Sequence, residues 1–134
     1  MATVGKRAVL PADVRTVWNA VTDFRAYDWR SDLCKTEPFG GNSFAEYAKN
    51  GAKTVFTVTA SEPYKRWELH MENDKMRGHW TGTFTERGAE TEVVFTETVT
   101  AKNLFLKPFV RPYLKKQQQR FVADLAAALR RAPR

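Results

Sequence analysis

A single acidic residue within an apolar stretch is the strongest candidate for chemistry in this sequence. Glu97 lies in TEVVFTETVT, where alternation places it on one face with Val93, Phe95 and Val99. A carboxylate on an apolar wall has a raised pKa unless a partner stabilises its charge. Glu97 is therefore a candidate polar anchor or acid/base for a bound ligand. The alternatives are that a bulge near Thr96 turns it outward, or that it pairs with an arginine at the end of a barrel.

Two polar side chains near the C-terminus could bind the same ligand. By the helical period, Gln117 falls within an apolar stripe between Tyr113 and Phe121. Its amide could bond a ligand or cap a carbonyl of the sheet, and the Tyr113 hydroxyl has the same two interpretations. If the protein is an enzyme, Glu97 is its acid/base and Tyr113 or Gln117 positions the substrate. That interpretation requires these groups to lie within about 3 Å of one ligand site.

The other reactive residue types predict no further site. His70 and His79 fall on the polar face of neighbouring strands, and further metal ligands are not evident beside them. We interpret them as solvated surface residues and predict no metal and no cofactor. Cys34 lies near the start of a strand without a His/Asp arrangement, so we expect a small, buried or half-buried side chain. Motifs of phosphate-binding loops, zinc proteases and serine hydrolases are missing, which leaves catalytic activity open.

A series of predicted strands must position these side chains. Four stretches alternate between apolar and polar residues at hairpin spacing, namely 54–61, 66–72, 78–85 and 91–100. They predict an antiparallel meander with one apolar and one polar face. Residues 3–10 are predicted to form an edge strand, and residues 37–42 a turn between two short strands.

Two short helical segments are predicted between the first strand and the rest of the sheet. Pro11 lies where the first helix would begin, with Asp13 in its first turn. Residues 23–32 are polar but contain three aromatic rings. We interpret them as a short second helix or a turn that buries those rings.

The last stretch, residues 103–131, is predicted to be a long amphipathic helix. Its apolar residues recur at spacings of three, four or seven: Leu106, Val110, Tyr113, Leu114, Phe121, Leu125 and Leu129. Pro108 and Pro112 predict an irregular start around residues 104–112 and a regular helix only beyond it. A curved sheet must cover its apolar face, and this helix is the only element long enough to do so.

Net charge is concentrated in the same C-terminal segment. Residues 102–134 contain nine Lys or Arg and one acid, Asp124, whereas the remaining chain has thirteen basic and fourteen acidic residues. A solvated helix face is the commonest explanation. The alternative is a transient contact with an anionic membrane or with RNA. No aromatic residues interleave on the basic side of this predicted helix, so base stacking is not expected.

Length and composition predict one globular domain, residues 1–134, with 43% apolar and 28% charged residues. The single cysteine can form no internal disulfide. No apolar run is long enough for a signal peptide or a membrane span, so we expect a cytoplasmic protein, either a monomer or a homodimer. Aromatic residues make up 13% of the chain, more than a core of this size usually needs, so a lined cavity is expected.

Several short motifs spread over the chain carry a family resemblance. They are LPADV, VW, TDF and YDW between residues 10 and 29, strand 55–61 followed by Glu62-Pro63, and Gly78-x-Trp80. With the long final helix, their order resembles the SRPBCC superfamily of START, polyketide cyclase and birch-pollen-allergen proteins. The resemblance implies an α+β helix-grip fold. In that fold a curved antiparallel sheet of about six or seven strands wraps around the C-terminal helix, with two short helices after the first strand.

The resemblance also implies a mostly apolar cavity between sheet and helix. We predict that it is lined by Trp18, Trp29, Phe56, Val58, Trp67, Leu69, Trp80, Phe84, Phe95, Glu97, Phe109, Tyr113, Gln117 and Phe121. Any one aromatic residue is more often part of a core, but the set favours a cavity. The leading hypothesis is binding or transport of a hydrophobic small molecule or lipid. The alternatives are a polyketide cyclase/dehydratase-type enzyme and a protein that docks on RNA or the ribosome through its basic helix.

Overall fold

The computed structural model describes residues 1–131. Its elements are β1 (Ala2–Leu10), α1 (Val14–Thr22), a 3-10 turn (Phe24–Ala26), β2 (Leu33–Pro38), β3 (Ser43–Ala48), β4 (Lys53–Glu62), β5 (Arg66–Glu72), β6 (Met76–Arg87), β7 (Glu90–Ala101), a second 3-10 turn (Leu104–Leu106) and α2 (Lys107–Arg131). Within the described residues, no helix is both long and apolar enough to cross a membrane.

The strands form one seven-stranded antiparallel sheet in the order β1-β7-β6-β5-β4-β3-β2. The predicted meander is confirmed, and β1 is an edge strand as expected. Register shifts interrupt the pairing at Leu33/Lys35 and at Val58/Ala60, and such bulges increase the local twist of a sheet. The curved sheet and α2 make the helix-grip fold that the resemblance implied.

Alternation in the strands produces one buried face. In β5, Trp67, Leu69 and Met71 are buried while His70 between them is exposed. Strand β7 pairs with β6 without a register shift along its whole length, so the bulge considered near Thr96 does not occur. Side chains of β7 therefore keep their predicted faces.

The long helix α2 covers this buried face. Its buried residues are Val110, Leu114, Gln118, Leu125 and Leu129, spaced by four or seven. The prediction that the helix is regular only after Pro112 is wrong, because the irregular part is a single 3-10 turn and α2 begins at Lys107. Pro108 lies in the first turn, where backbone N–H groups lack helical partners in any case. Pro112 removes only one hydrogen bond from the helix.

Helix α1 closes one end of the sheet. Asp13 is its N-cap, one residue before the predicted first turn, and accepts a hydrogen bond from the Thr16 N–H at 2.8 Å. The second predicted helix is only the 3-10 turn Phe24–Ala26. Beyond it, the buried Tyr27 donates its hydroxyl to the Val21 carbonyl and so ties this segment to α1.

Two apolar clusters make up the core. The larger lies towards α1 and includes Leu10, Val93 and Leu125, whereas the smaller includes Val4 and Val99 with Val110 and Leu114 of α2. On β7, Phe95 belongs to the larger cluster and Val99 to the smaller. Glu97 therefore lies at the boundary between them.

Close strand packing at Gly78 provides a test of this architecture. A Cβ at Gly78 would overlap the Thr98 carbonyl oxygen and lie 2.9 Å from the Val99 Cα, whereas one at Gly5 would have no neighbour nearer than 3.8 Å. We expect Gly78→Ala to lower the free energy of unfolding by about 1–3 kcal/mol. Gly5→Ala, the control, should leave it unchanged or raise it by up to about 1 kcal/mol. Urea unfolding measures both, and equal effects of the two substitutions would contradict the close approach of β7 to Gly78.

Candidate functional site

A cavity of about 410 Å³ lies between the sheet and α2. This volume is within the range of small-molecule sites. Its apolar wall is formed by Phe56, Trp67, Leu69, Trp80, Phe95, Leu114 and Phe121. The rings of this wall contact one another, for example Trp80 with Phe95 (centroids 5.1 Å apart) and Phe95 with Phe121 (5.4 Å). The wall is therefore a connected aromatic surface.

Most of the exposed residues that line the cavity lie at one end of the strands, which places its opening there. Its rim includes Lys49, Asn50 and Ala52 of the β3–β4 turn and Asn73 of the β5–β6 turn. Pairing of Val55 with Glu72 places these two turns at the same end of the sheet. Tyr113 lies on the rim from the helix side. We call this end, with the two turns and the start of α2, the mouth end.

Glu97 faces into the cavity from β7, between its strand neighbours Val4 of β1 and Trp80 of β6. Burial raises its pKa to about 7. The nearby Gln118 amide acts in the opposite direction, the charge of Glu46 adds to the increase, and the charge of Arg30 reduces it. Among the described ion pairs Glu97 has no partner, so the alternative of a pairing arginine is not realised.

The buried amide that meets Glu97 is Gln118, one residue after the predicted Gln117. Its Nε2 is 3.4 Å from both the Val4 and Phe95 carbonyl oxygens, to which it donates. Gln118 continues the four-residue spacing from Val110 through Leu114, and this signal could have identified it. Gln117 lies at the rim and donates to the Tyr113 hydroxyl at 2.8 Å. The structure therefore separates a deep polar pair, Glu97 with Gln118, from a rim pair.

A second group of charges lies on the cavity wall, and sequence reasoning missed it. The buried Arg30 guanidinium bonds the Asp32 carboxylate at 3.0 and 3.1 Å and the Glu46 carboxylate at 3.1 and 3.3 Å. It also lies 5.4 Å from the centroid of the Tyr27 ring and 5.0 Å from that of Phe121. We call Arg30, Asp32 and Glu46 the ionic cluster.

Burial and charge act differently on the two acids of the ionic cluster. Burial raises the pKa of Glu46 and Arg30 only partly offsets it. For Asp32, burial is outweighed by the hydrogen bonds and charge of Arg30, so its pKa lies below the ordinary value. Arg30 itself stays charged, since the two carboxylates outweigh its burial and raise its pKa. Only the proximity of Arg30 to Asp32 was visible in the sequence, because Glu46 lies sixteen positions further on, in β3.

Nine of the predicted lining residues surround the cavity: Phe56, Trp67, Leu69, Trp80, Phe95, Glu97, Tyr113, Gln117 and Phe121. Trp18 and Phe84 do not, since they pack edge-to-face at 5.1 Å within the larger core cluster. Val58 and Trp29 pack against the same cluster. The Trp29 ring also lies edge-on to Phe121 at 5.4 Å.

The prediction that Phe109 faces inward is wrong, because 68% of its surface is exposed. The next residue, Val110, faces the sheet instead, and adjacent positions of a helix point about 100° apart. With Tyr113 also 49% exposed, aromatic rings do lie among the basic residues Lys107 and Arg111. The expectation that none interleave there is therefore corrected.

The remaining reactive residues lie outside the cavity. His70 and His79 pair across β5 and β6 on the outer face, and His79 Nε2 is 3.1 Å from Glu68 Oε1. In residues 1–131 no three or more His, Cys, Asp or Glu side chains come together in a way that could hold a metal ion. Cys34 is exposed, not buried or half-buried as predicted, and it is the residue without a β3 partner at the register shift in the edge strand β2.

Comparisons with known proteins agree with this geometry. Residues 1–130 match the family described as polyketide cyclase / dehydrase and lipid transport. No curated protein matches the chain. The fold is similar to a START superfamily protein from Mycobacterium smegmatis (14% identity, 93% of this chain and 94% of that chain, TM-score 0.83). It is also similar to a protein from Mesorhizobium loti (20% identity, 99% and 100%, TM-score 0.81).

A third similar structure is the di-domain ARO/CYC protein BexL from the BE-7585A biosynthetic pathway. The two share 11% identity over 97% of this chain and 47% of BexL, with a TM-score of 0.82. At this level of identity the similarity shows the fold.

The buried carboxyl of Glu97 predicts a specific dependence of stability on pH. Its folded-state pKa of about 7 lies above its ordinary 4.5, so between these values the unfolded chain loses a proton that the folded protein keeps. Wild-type stability should therefore fall relative to Glu97→Gln as pH rises from about 4.5 to 7, by on the order of 3 kcal/mol, and then stay constant. Urea unfolding at several pH values measures the difference. The exposed Glu90→Gln is the control, and a pH-independent difference for Glu97→Gln would contradict the prediction.

Proposed function

The chain belongs to the polyketide cyclase / dehydrase and lipid transport family, and on that premise we propose that it binds a mainly hydrophobic small molecule in the cavity between sheet and α2. The observation that carries the proposal is the connected aromatic wall around about 410 Å³ of space. Contact with Trp67, Trp80 and Phe121 would remove apolar ligand surface from water, which contributes about 25 cal/mol per Å².

The polar groups of the cavity limit which molecules fit. Glu97 and Gln118 form one polar point among the apolar residues of the cavity, apart from the ionic cluster. A ligand with an apolar body and one hydroxyl or carbonyl group would satisfy them, whereas a pure hydrocarbon would leave the carboxyl without a ligand partner. The ionic cluster is internally paired and supplies a rigid polar wall beside Phe121.

Several finer predictions go with this proposal. The ligand would be a lipid or a polyketide, and the protein would carry or transport it. The single domain, the cytoplasmic location and the monomeric or homodimeric state stay predictions, as does contact of the basic helix with a membrane or RNA.

A second candidate function is acid/base catalysis by Glu97, favoured by its position inside the cavity and its pKa of about 7. A group that titrates near neutral pH can both accept and donate a proton. In a dehydration, the Glu97 carboxylate would take the proton next to a substrate carbonyl. It would then return that proton to the departing β-hydroxyl, so that a C=C bond forms and water leaves. Gln118 would hold the carboxyl in place, and Tyr113 and Gln117 would contact the substrate at the rim.

Ligand binding can be tested by narrowing the cavity. Ala48 lies on the cavity wall near the mouth, and Ala48→Phe would place a ring in the space that a ligand needs. We expect it to weaken binding of oleate or an aromatic polyketide by about tenfold or more. Tryptophan fluorescence reports binding, because Trp67 and Trp80 line the cavity. Ala123→Phe, at an exposed position of α2, is the matched control. If native mass spectrometry with fatty acids, sterols and polyketides finds no wild-type complex, the proposal is wrong.

The catalytic candidate makes a separate prediction. With a β-hydroxy ketone as substrate, Glu97→Gln should lower kcat by about 10²–10⁴-fold with little change in KM. Because the carboxylate is the base, the wild-type rate should rise with pH and level off above about 7. Glu90→Gln should behave as wild type. If the wild type binds the β-hydroxy ketone but does not convert it, the catalytic proposal is wrong and the binding proposal stands.

A further inference from the structure

Four large apolar side chains are exposed near the start of α2. The exposed fractions are 83% for Leu104, 85% for Phe105, 68% for Phe109 and 49% for Tyr113. We call these four residues the apolar cluster. Exposure of single apolar residues is ordinary, but four within ten positions form a contiguous patch. Asn103 holds the first part in place, since its side chain accepts a hydrogen bond from the Phe105 N–H at 2.9 Å.

The apolar cluster is continuous with the mouth of the cavity. Phe109 and Tyr113 are one helical turn apart and so lie on the same side of α2. Tyr113 is at once a member of the cluster and part of the cavity rim, where it accepts a hydrogen bond from Gln117. The Lys102 N–H donates to the Lys75 carbonyl oxygen at 2.8 Å, so the chain leading into the cluster adjoins the β5–β6 turn.

Exposed basic side chains lie at the mouth end together with the apolar cluster. Lys49, Lys75, Lys107 and Arg111 are exposed on the two turns and on the first turns of α2. Of the acids there, Glu72 bonds Lys102 at 2.7 Å, and Asp74 is exposed. Apolar and aromatic side chains within a basic rim are the composition of a surface that binds the interface of an anionic bilayer.

We infer that the mouth end docks on an anionic lipid bilayer, with Leu104, Phe105 and Phe109 inserted at headgroup level and the basic rim against the headgroups. In this orientation the cavity opens toward the lipid phase, so an apolar ligand passes between bilayer and cavity without crossing water. The inference rests on the proposed ligand-binding function and adds the surface from which the ligand is taken or to which it is given.

A bilayer fits this surface better than a second protein copy or a nucleic acid. The apolar cluster exposes roughly 500–600 Å², and the exposed charges beside it are mostly basic, so a second copy would bring like charges together, whereas anionic headgroups complement them. Leu104, among the most exposed members, has no aromatic face on which a base could stack. Insertion into lipid, in contrast, uses aliphatic and aromatic side chains alike.

The apolar contribution can be measured with vesicles of phosphatidylcholine containing 30% phosphatidylserine. We expect the full chain to cosediment with them, and the double variant Phe105→Ala/Phe109→Ala to bind at least about tenfold more weakly. Both side chains are exposed, so the variant should remain folded, and its thermal unfolding verifies this. Phe39→Ala is the matched control, because Phe39 is 48% exposed in the β2–β3 turn at the opposite end of the strands.

The electrostatic contribution needs its own pair of variants. Lys107→Gln/Arg111→Gln should weaken binding to the anionic vesicles by about fivefold for each charge removed. Arg130→Gln/Arg131→Gln makes the same change at the other end of α2 and should bind as wild type. Pure phosphatidylcholine vesicles should bind weakly, and added salt should reduce binding to the anionic ones.

Three outcomes would overturn the inference. One is equal vesicle binding by wild type and Phe105→Ala/Phe109→Ala. Another is tighter binding of wild type to a single-stranded RNA than to the anionic vesicles, lost in the same variant. The third is a wild-type dimer in light scattering that the variant abolishes, without vesicle binding. Oleate binding in solution distinguishes the two proposals: if the wild type binds oleate but does not bind the anionic vesicles, only the membrane inference is lost.

Discussion

One helix has to cover the concave face of a seven-stranded sheet, and most of the structure depends on that constraint. Helix α2 contacts the sheet along its buried residues, but a rod of its diameter cannot fill the whole concavity. At the α1 end, Trp18 and Phe84 fill the remaining volume and make a core. Toward the mouth end the smaller core cluster fills only part of the volume, and a space of about 410 Å³ remains between Trp80, Glu97 and Phe121.

Two buried ionisable groups on the cavity wall, Arg30 and Glu97, are accommodated in different ways. Arg30 is bonded by Asp32 and Glu46 and packs against aromatic rings, so its charge is compensated within the protein. Glu97 has an amide partner, Gln118, but no cation in the described residues, and its pKa rises instead. A compensated group is suited to holding the wall rigid. A carboxyl group whose pKa lies near neutral pH is suited to binding a ligand or exchanging a proton.

Periodicity predicted the elements of the fold because, in this chain, the buried residues recur at the spacing of the strand or helix that contains them. The alternating stretches became β4 to β7, and the absence of any shift in β7 kept Glu97 on the inner face, where a bulge would have turned it outward. The errors came where one residue decides a direction. Phe109 was placed inside and lies outside, and Gln117 was favoured where Gln118 is the buried amide. A helix turns about 100° per residue, so an error of one position changes the face.

The sequence by itself determined the order of strands and helices and their apolar faces, because strand alternation and helix amphipathicity are properties of neighbouring residues. Its family resemblance implied the helix-grip architecture with an apolar cavity. Tertiary structure alone decided which rings line the cavity and which fill the core. It also brought Arg30 and Glu46 together across sixteen positions and set the apolar cluster beside the cavity mouth. These features depend on distances between segments remote in the chain, which no local pattern specifies.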